Sequence, residues 1–198
     1  MDIVARVQGI LTKPKEEWQK IKKEPHSVSQ LFTSYVLLLA AVPAVAHFIH
    51  YGFIGYRQPY EGWVRYEIGK ALLHSILIYV FVLAFVFVFG FVINALASTF
   101  SSTKNLNTAM KLAVYSTTPF FVASALYLIP FLDRLVILAS LYGIYLLYLG
   151  FVTPLVDAPK DKILPYLIVS LVLFAVITVI LWIILSAIFL VESASRVL

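Results

Sequence analysis

Five stretches of this 198-residue chain contain no Asp, Glu, Lys or Arg: 25–56, 71–103, 112–132, 135–156 and 163–191. Each is long enough to hold the roughly 20 apolar residues that cross a hydrocarbon core about 30 Å thick. In lipid every backbone N–H and C=O must be satisfied within the protein, so runs of this length read as helices. The expected fold class is all-α: a polytopic integral membrane bundle of five transmembrane helices, preceded by a short N-terminal amphipathic helix. The spans fall at about 29–51, 70–98, 108–129, 135–153 and 164–191. That divides the chain into a cytoplasmic amphipathic segment, 1–28, and a membrane domain, 29–198.

Hydrophobic residues make up 62% of the chain and charged residues 13%, which leaves no room for a separate soluble domain. A formal net charge of +5 suggests nucleic acid in a soluble protein, but here the cations flank the spans and meet anionic lipid headgroups. Nucleic acid is not an expected partner. The chain contains no cysteine, which excludes disulfides and thiolate metal sites. Its first residues lack the apolar core and small-residue cleavage site of a secretory signal, so the first span is expected to act as the insertion signal.

Ten Lys and Arg residues fall on the side of the N-terminus and five on the other. The positive-inside rule puts the N-terminus in the cytoplasm, and an odd number of spans puts the C-terminus outside. The expected location is the plasma (inner) membrane.

Val4, Val7, Ile10 and Leu11 recur at helical spacing before the first span. A second helical piece opens at Pro14, with Glu16 and Glu17 in its first turn, where the helix dipole favours them. Trp18 and Ile21 share a face and Lys15, Lys22 and Lys23 lie elsewhere, a pattern that suits an interfacial helix in the headgroup plane. Packing on the loops is the alternative. Pro43 is expected to kink the first span.

Several residues are candidates for chemistry. In the third span Pro119 frees the carbonyl of Tyr115 beside the hydroxyls of Ser116, Thr117 and Thr118. With Asn94 these form a possible polar intramembrane site for an ion or proton. The bland reading has the hydroxyls bonding back to the kinked backbone and Asn94 bonding between helices. His47, His50 and His74 fall near the outer ends of two antiparallel spans, where three imidazoles can bind a metal such as zinc or act as interfacial hydrogen-bonding groups. Ala139, Gly143 and Gly150 form a small-residue stripe suited to helix packing, within the bundle or across a dimer. No charged residue lies in a span interior, and phosphate loops and hydrolase motifs are missing. Neither an enzyme nor a cofactor is expected.

The order Lys104-Asn105-Leu106-Asn107-Thr108-Ala109, Tyr115-Ser116-Thr117-Thr118-Pro119, Ile129-Pro130 and Leu141-Tyr142-Gly143-Ile144-Tyr145-Leu146-Leu147-Tyr148-Leu149-Gly150 resembles the core of the Yip family. These are the five-span Ypt/Rab-interacting membrane proteins and their prokaryotic relatives. Pro14-Lys15-Glu16-Glu17-Trp18-Gln19-Lys20-Ile21 resembles how prokaryotic members begin. The resemblance implies a cytoplasmic N-terminus and self-association, here as a homodimer. The Asp-Leu-Tyr-Gly-Pro motif of the GTPase-linked members is absent, so GTPase binding is not carried over. The expected function is a non-enzymatic scaffold that organises membrane or binds a partner protein at the cytoplasmic face. The alternatives are a small channel or transporter through the Asn94 and Tyr115–Pro119 region, and an outer-face metal-binding protein.

Overall fold

The computed structural model describes residues 2–58, 60, 62–153 and 155–194, and in the last helix the side chains to position 180 together with Ile183. Two short helices, α1 (Ile3–Thr12) and α2 (Pro14–Lys23), form a helical hairpin. Asp2 caps α1 by accepting from the Ala5 N–H at 3.1 Å. Pro14 occupies the first turn of α2, Glu16 and Glu17 follow it, and Lys20, Lys22 and Lys23 close the last turn, all in accord with the helix dipole.

A capping box between Ser27 and Gln30 then starts α3 (Val28–Ile54). The helix is irregular, as Pro43 leads one to expect. Its regular winding is interrupted at Ala40, one residue after Leu39, whose carbonyl the proline ring would meet. It is also widened at both ends, where Leu37 N–H bonds Phe32 O and Gly55 N–H bonds His50 O. The loop after α3 holds a two-stranded antiparallel ribbon, β1 (Tyr56–Gln58) and β2 (Gly62–Val64). Three long segments remain: α4 (Ile68–Leu96), prolonged by one tight turn to Phe100, α7 (Leu135–Val152) and α8 (Lys160–Ala194).

Four described helices are long and apolar enough to cross a membrane: α3, Ile68–Phe100, α7 and Lys160–Ile180 of α8. The third uncharged run is not among them, which corrects the expectation of one continuous helix over 108–129. It is divided into α5 (Leu106–Ser116), α6 (Thr118–Ala123) and a tight turn, Ser124–Leu128. The break falls at Thr117, whose ψ of −8° leaves the helical range just before Pro119. Proline cannot donate to the carbonyl four residues back, so the ladder lapses there.

The buried core runs between α3, α4, α5 and α7 and includes Leu31, Tyr35, Val86, Met110, Tyr115, Phe121 and Leu146. Ile10, Trp18 and Ile21 of the hairpin belong to the same core, each with no exposed surface. That corrects their interfacial placement. The apolar stripe of the hairpin faces α5 and α7 rather than headgroups, because the cleft beside the broken helix offers it more contact than a flat surface does.

Candidate functional site

The site begins with a place where α7 has no side chain. A Cβ at Gly150 would stand 2.9 Å from the Trp18 ring and 2.5 Å from Leu112. Without it, Trp18 lies against α7 and donates its indole N–H to the carbonyl of Leu146 at 3.0 Å. Its edge meets the Tyr115 ring, the centroids 6.1 Å apart. The Tyr142 hydroxyl donates to Leu11 O at 2.9 Å and holds the tip of the hairpin.

Charge completes the seat. Arg6, 7% exposed, donates from Nη1 to Glu17 Oε1 at 2.6 Å and from Nη2 to Glu24 Oε1. Its guanidinium also lies 5.6 Å over the Tyr115 ring. Glu17 Oε2 accepts from Lys20 at 2.9 Å, and Gly9 makes room for that carboxylate, since a Cβ there would stand 2.6 Å from it. Buried Lys111 reaches from α5 to the end of the hairpin, donating to Ile21 O at 3.0 Å and to Glu24 O. Two buried cations, Arg6 and Lys111, thus meet two carboxylates and two backbone carbonyls at the joint between hairpin and bundle, with Lys20 at the surface on Glu17. Buried ion pairs add little net stability and instead fix one arrangement strongly against its alternatives.

The polar stretch of the broken helix is spent on the backbone and on Tyr35. Ser116 and Thr117 both donate to Ala113 O, at 3.2 and 2.6 Å, and Thr118 Oγ1 pairs with the Tyr35 hydroxyl at 2.8 Å. Ser116 through Pro119 are buried. Gly143 lies against the Ser116 carbonyl, where a Cβ would come within 2.6 Å. These residues are closed by packing, which corrects the expectation that they share a wet path with Asn94.

Asn94 lies elsewhere, on a cavity of about 130 Å³ with Ser102, Thr103, Asp157 and Tyr166. Its Oδ1 is buried without a partner. Asp157 staples two loops, accepting from Ser102 Oγ at 2.5 Å, Thr103 N at 2.9 Å and Thr103 Oγ1 at 2.6 Å. Those bonds favour the charged form and hold its carboxyl down at about 2.

The histidines also differ from expectation. His47 and His74 rings lie 5.6 Å apart, but His50 Nδ1 is 2.8 Å from the Tyr127 carbonyl, and Tyr51 packs against all three imidazoles. Among the described residues no three His, Asp or Glu side chains are grouped to hold a metal ion. The cluster is aromatic packing. The small-residue stripe is likewise internal at Gly143 and Gly150, with Ala139 half-buried. Sequence reasoning missed Arg6, Glu17, Glu24 and Lys111 as a set. The available signal was Gly9 opposite Glu17, two short helices joined at a proline.

The model of the Yip1 domain matches residues 9–184, from the tip of α1 well into α8. The chain belongs to the Yip1 domain family. Two curated relatives, both named inner membrane protein YohC, come from Escherichia coli strain K12 and Escherichia coli O6:H1 strain CFT073. Each is 31% identical over 150 residues, covering 74% of this chain and 77% of the relative. No solved structure matches the chain. The Yip1 match takes in Gly9, Glu17, Trp18, Lys111, Gly143 and Gly150, so most of the hairpin seat lies within the matched residues, while Arg6 falls just before them. The relatives' name states a membrane location and no reaction. A multi-pass membrane protein fits both that name and the four apolar helices.

Proposed function

We propose that this Yip1 domain protein is a non-enzymatic, self-associating scaffold of the inner membrane, crossing it five times with the N-terminus in the cytoplasm and the C-terminus outside. The fifth crossing is the broken segment, in which α5, α6 and the following turn lead from Leu106 to Leu128 in succession. The excess of Lys and Arg on the N-terminal side supports the orientation. The observation that carries the scaffold reading over a conduit is the use of the central polar groups. The hydroxyls of Ser116 and Thr117 bond back to their own helix, and the Thr118 hydroxyl and the charges of Arg6, Glu17 and Lys111 hold elements of the fold to one another.

Self-association then uses a face other than the glycine stripe. Leu138, Leu141, Tyr145 and Tyr148 form an exposed stripe along α7. The lysines of α2, exposed at Lys20, Lys22 and Lys23, offer a basic surface to lipid headgroups or a cytoplasmic protein. Because the chain is free of cysteine, Leu141→Cys and Tyr145→Cys test the first point directly. Oxidative crosslinking in native membranes is expected to give a dimer through either position. A particle that stays monomeric by mass in mild detergent and never crosslinks would refute self-association, and terminal reporter fusions check the orientation.

A further inference from the structure

The cavity that holds Asn94 is short of hydrogen-bond donors. It lies between the end of Ile68–Phe100, the start of α5, the loop after α7 and the first turns of α8. At about 130 Å³ it has several times the room that one water needs. Buried polar atoms are ordinarily paired, yet Asn94 Oδ1 is not. Three hydroxyls of the lining are committed elsewhere: Tyr166 donates to Ile93 O at 2.5 Å, and Ser102 and Thr103 donate to Asp157. A carboxylate has about four acceptor sites, and the bonds to Asp157 leave one of them open on Oδ2. Among the described residues no cation pairs with this carboxylate, and Lys162 gives its ammonium to Ser101 Oγ at 2.7 Å.

The site thus offers a buried acceptor, an open lone pair and a negative charge beside an apolar lining of Ile93, Ala97, Leu112 and Val156. Its complement is a small cation that carries N–H donors on a short apolar stem. Hard metal ions ask for six or more oxygen ligands, which such a lining does not supply.

Depth indicates where such a group comes from. The span Ile68–Phe100 has 33 residues, about 50 Å of rise against a hydrocarbon core of about 30 Å. Upright and centred, it leaves about 10 Å at each end in the headgroup layer. Asn94 lies six residues before Phe100, and Tyr166 six after Lys160. The cavity therefore reaches about 9 Å inside both ends, to the level where headgroups meet acyl chains.

We propose that this cavity binds a primary ammonium group of the ethanolamine type, its N–H donors on Asn94 Oδ1 and Asp157 Oδ2, supplied by a phospholipid headgroup or by a free amine. The depth favours the headgroup. The site is independent of the scaffold reading, of the orientation of the termini and of the oligomeric state. A quaternary ammonium has the same charge and no N–H, which gives the test its contrast.

The full chain, stripped of lipid in detergent, is offered an ethanolamine phospholipid and a choline phospholipid with the same acyl chains. Native mass spectrometry reads which is retained. The ethanolamine lipid is expected to be held at least about tenfold more tightly, the weight of one hydrogen bond to a charged group. Asn94→Leu removes the buried acceptor and is expected to bring the two lipids level. Asp157→Asn, at an exposed position should the first variant fail to fold, removes the charge and is expected to weaken the ethanolamine lipid several-fold. Equal retention by the parent, or a preference unchanged in both variants, would overturn the site and leave the cavity to water. Free ethanolamine separates the two sources. Lipid that stays bound through millimolar amine supports the headgroup, and lipid displaced by it supports the same site filled from solution. Displacement by choline as readily as by ethanolamine would overturn the role of the N–H donors.

Discussion

Trp18 donates its indole N–H to the carbonyl of Leu146, at the one turn of α7 where Gly150 leaves the backbone bare. The bond joins positions 128 residues apart and places the hairpin within the bundle. It makes the hairpin part of the core, and most of what can be tested here follows from that.

Adding a methyl group to α7 tests the close approach. Gly150→Ala would force the Trp18 ring and Leu112 to move, and Gly143→Ala would press on the Ser116 carbonyl. Each is expected to cost about 1–3 kcal/mol of stability. Thermal unfolding in detergent checks this. A lower melting temperature with unchanged oligomeric mass separates internal packing from dimerisation.

Removing one partner of the buried ion pairs leaves the others uncompensated. Arg6→Gln is expected to destabilise by roughly 3 kcal/mol or more, with Glu17 and Glu24 left without their guanidinium. Arg6→Met with Glu17→Met removes both charges and is expected to cost less than the sum of the single changes. A double-mutant cycle on unfolding midpoints measures the difference.

Asp157 gives a pH dependence of known sign. Its carboxyl is held at about 2, below the ordinary unfolded value near 4, by bonds from Ser102 and Thr103. The stabilisation is present above the unfolded value and is lost as pH falls from about 4 to about 2. Asp157→Asn is therefore expected to melt below the parent at pH 6, with the gap closing toward pH 2. A gap independent of pH would mean that the ionised form is not what the two loops require.

Zinc is expected to give no saturable heat from His47, His50 and His74, since His50 faces the Tyr127 carbonyl and Tyr51 packs among the rings. Calorimetric titration of the purified protein checks this. His47→Ala, His74→Ala or their combination should leave the heats unchanged.

The uncharged runs made the membrane class legible, because the bilayer excludes charge whatever the fold. A kink at Pro119 was legible too, but a division of the helix there was not. How the chain continues past Thr117 depends on partners such as Tyr35, which pairs with Thr118 and which sequence spacing does not reveal. Trp18 and Ile21 read as one apolar face, and that reading holds. Which medium the face meets was hidden, since a headgroup plane and a protein cleft ask for the same spacing. Gly143 and Gly150 announced a close approach without naming what approaches. Arg6, Glu17 and Lys111 looked solvated because cations and carboxylates beside spans usually are. Only the geometry of the seat shows them buried.

The separation between Trp18 and Leu146 sets an order of assembly. A ribosome delivers the hairpin first, and four helical segments, α7 the last of them, must follow before its seat exists. The nascent chain therefore carries an unhoused tryptophan through most of translation, and its earliest-made residues are among the last to settle.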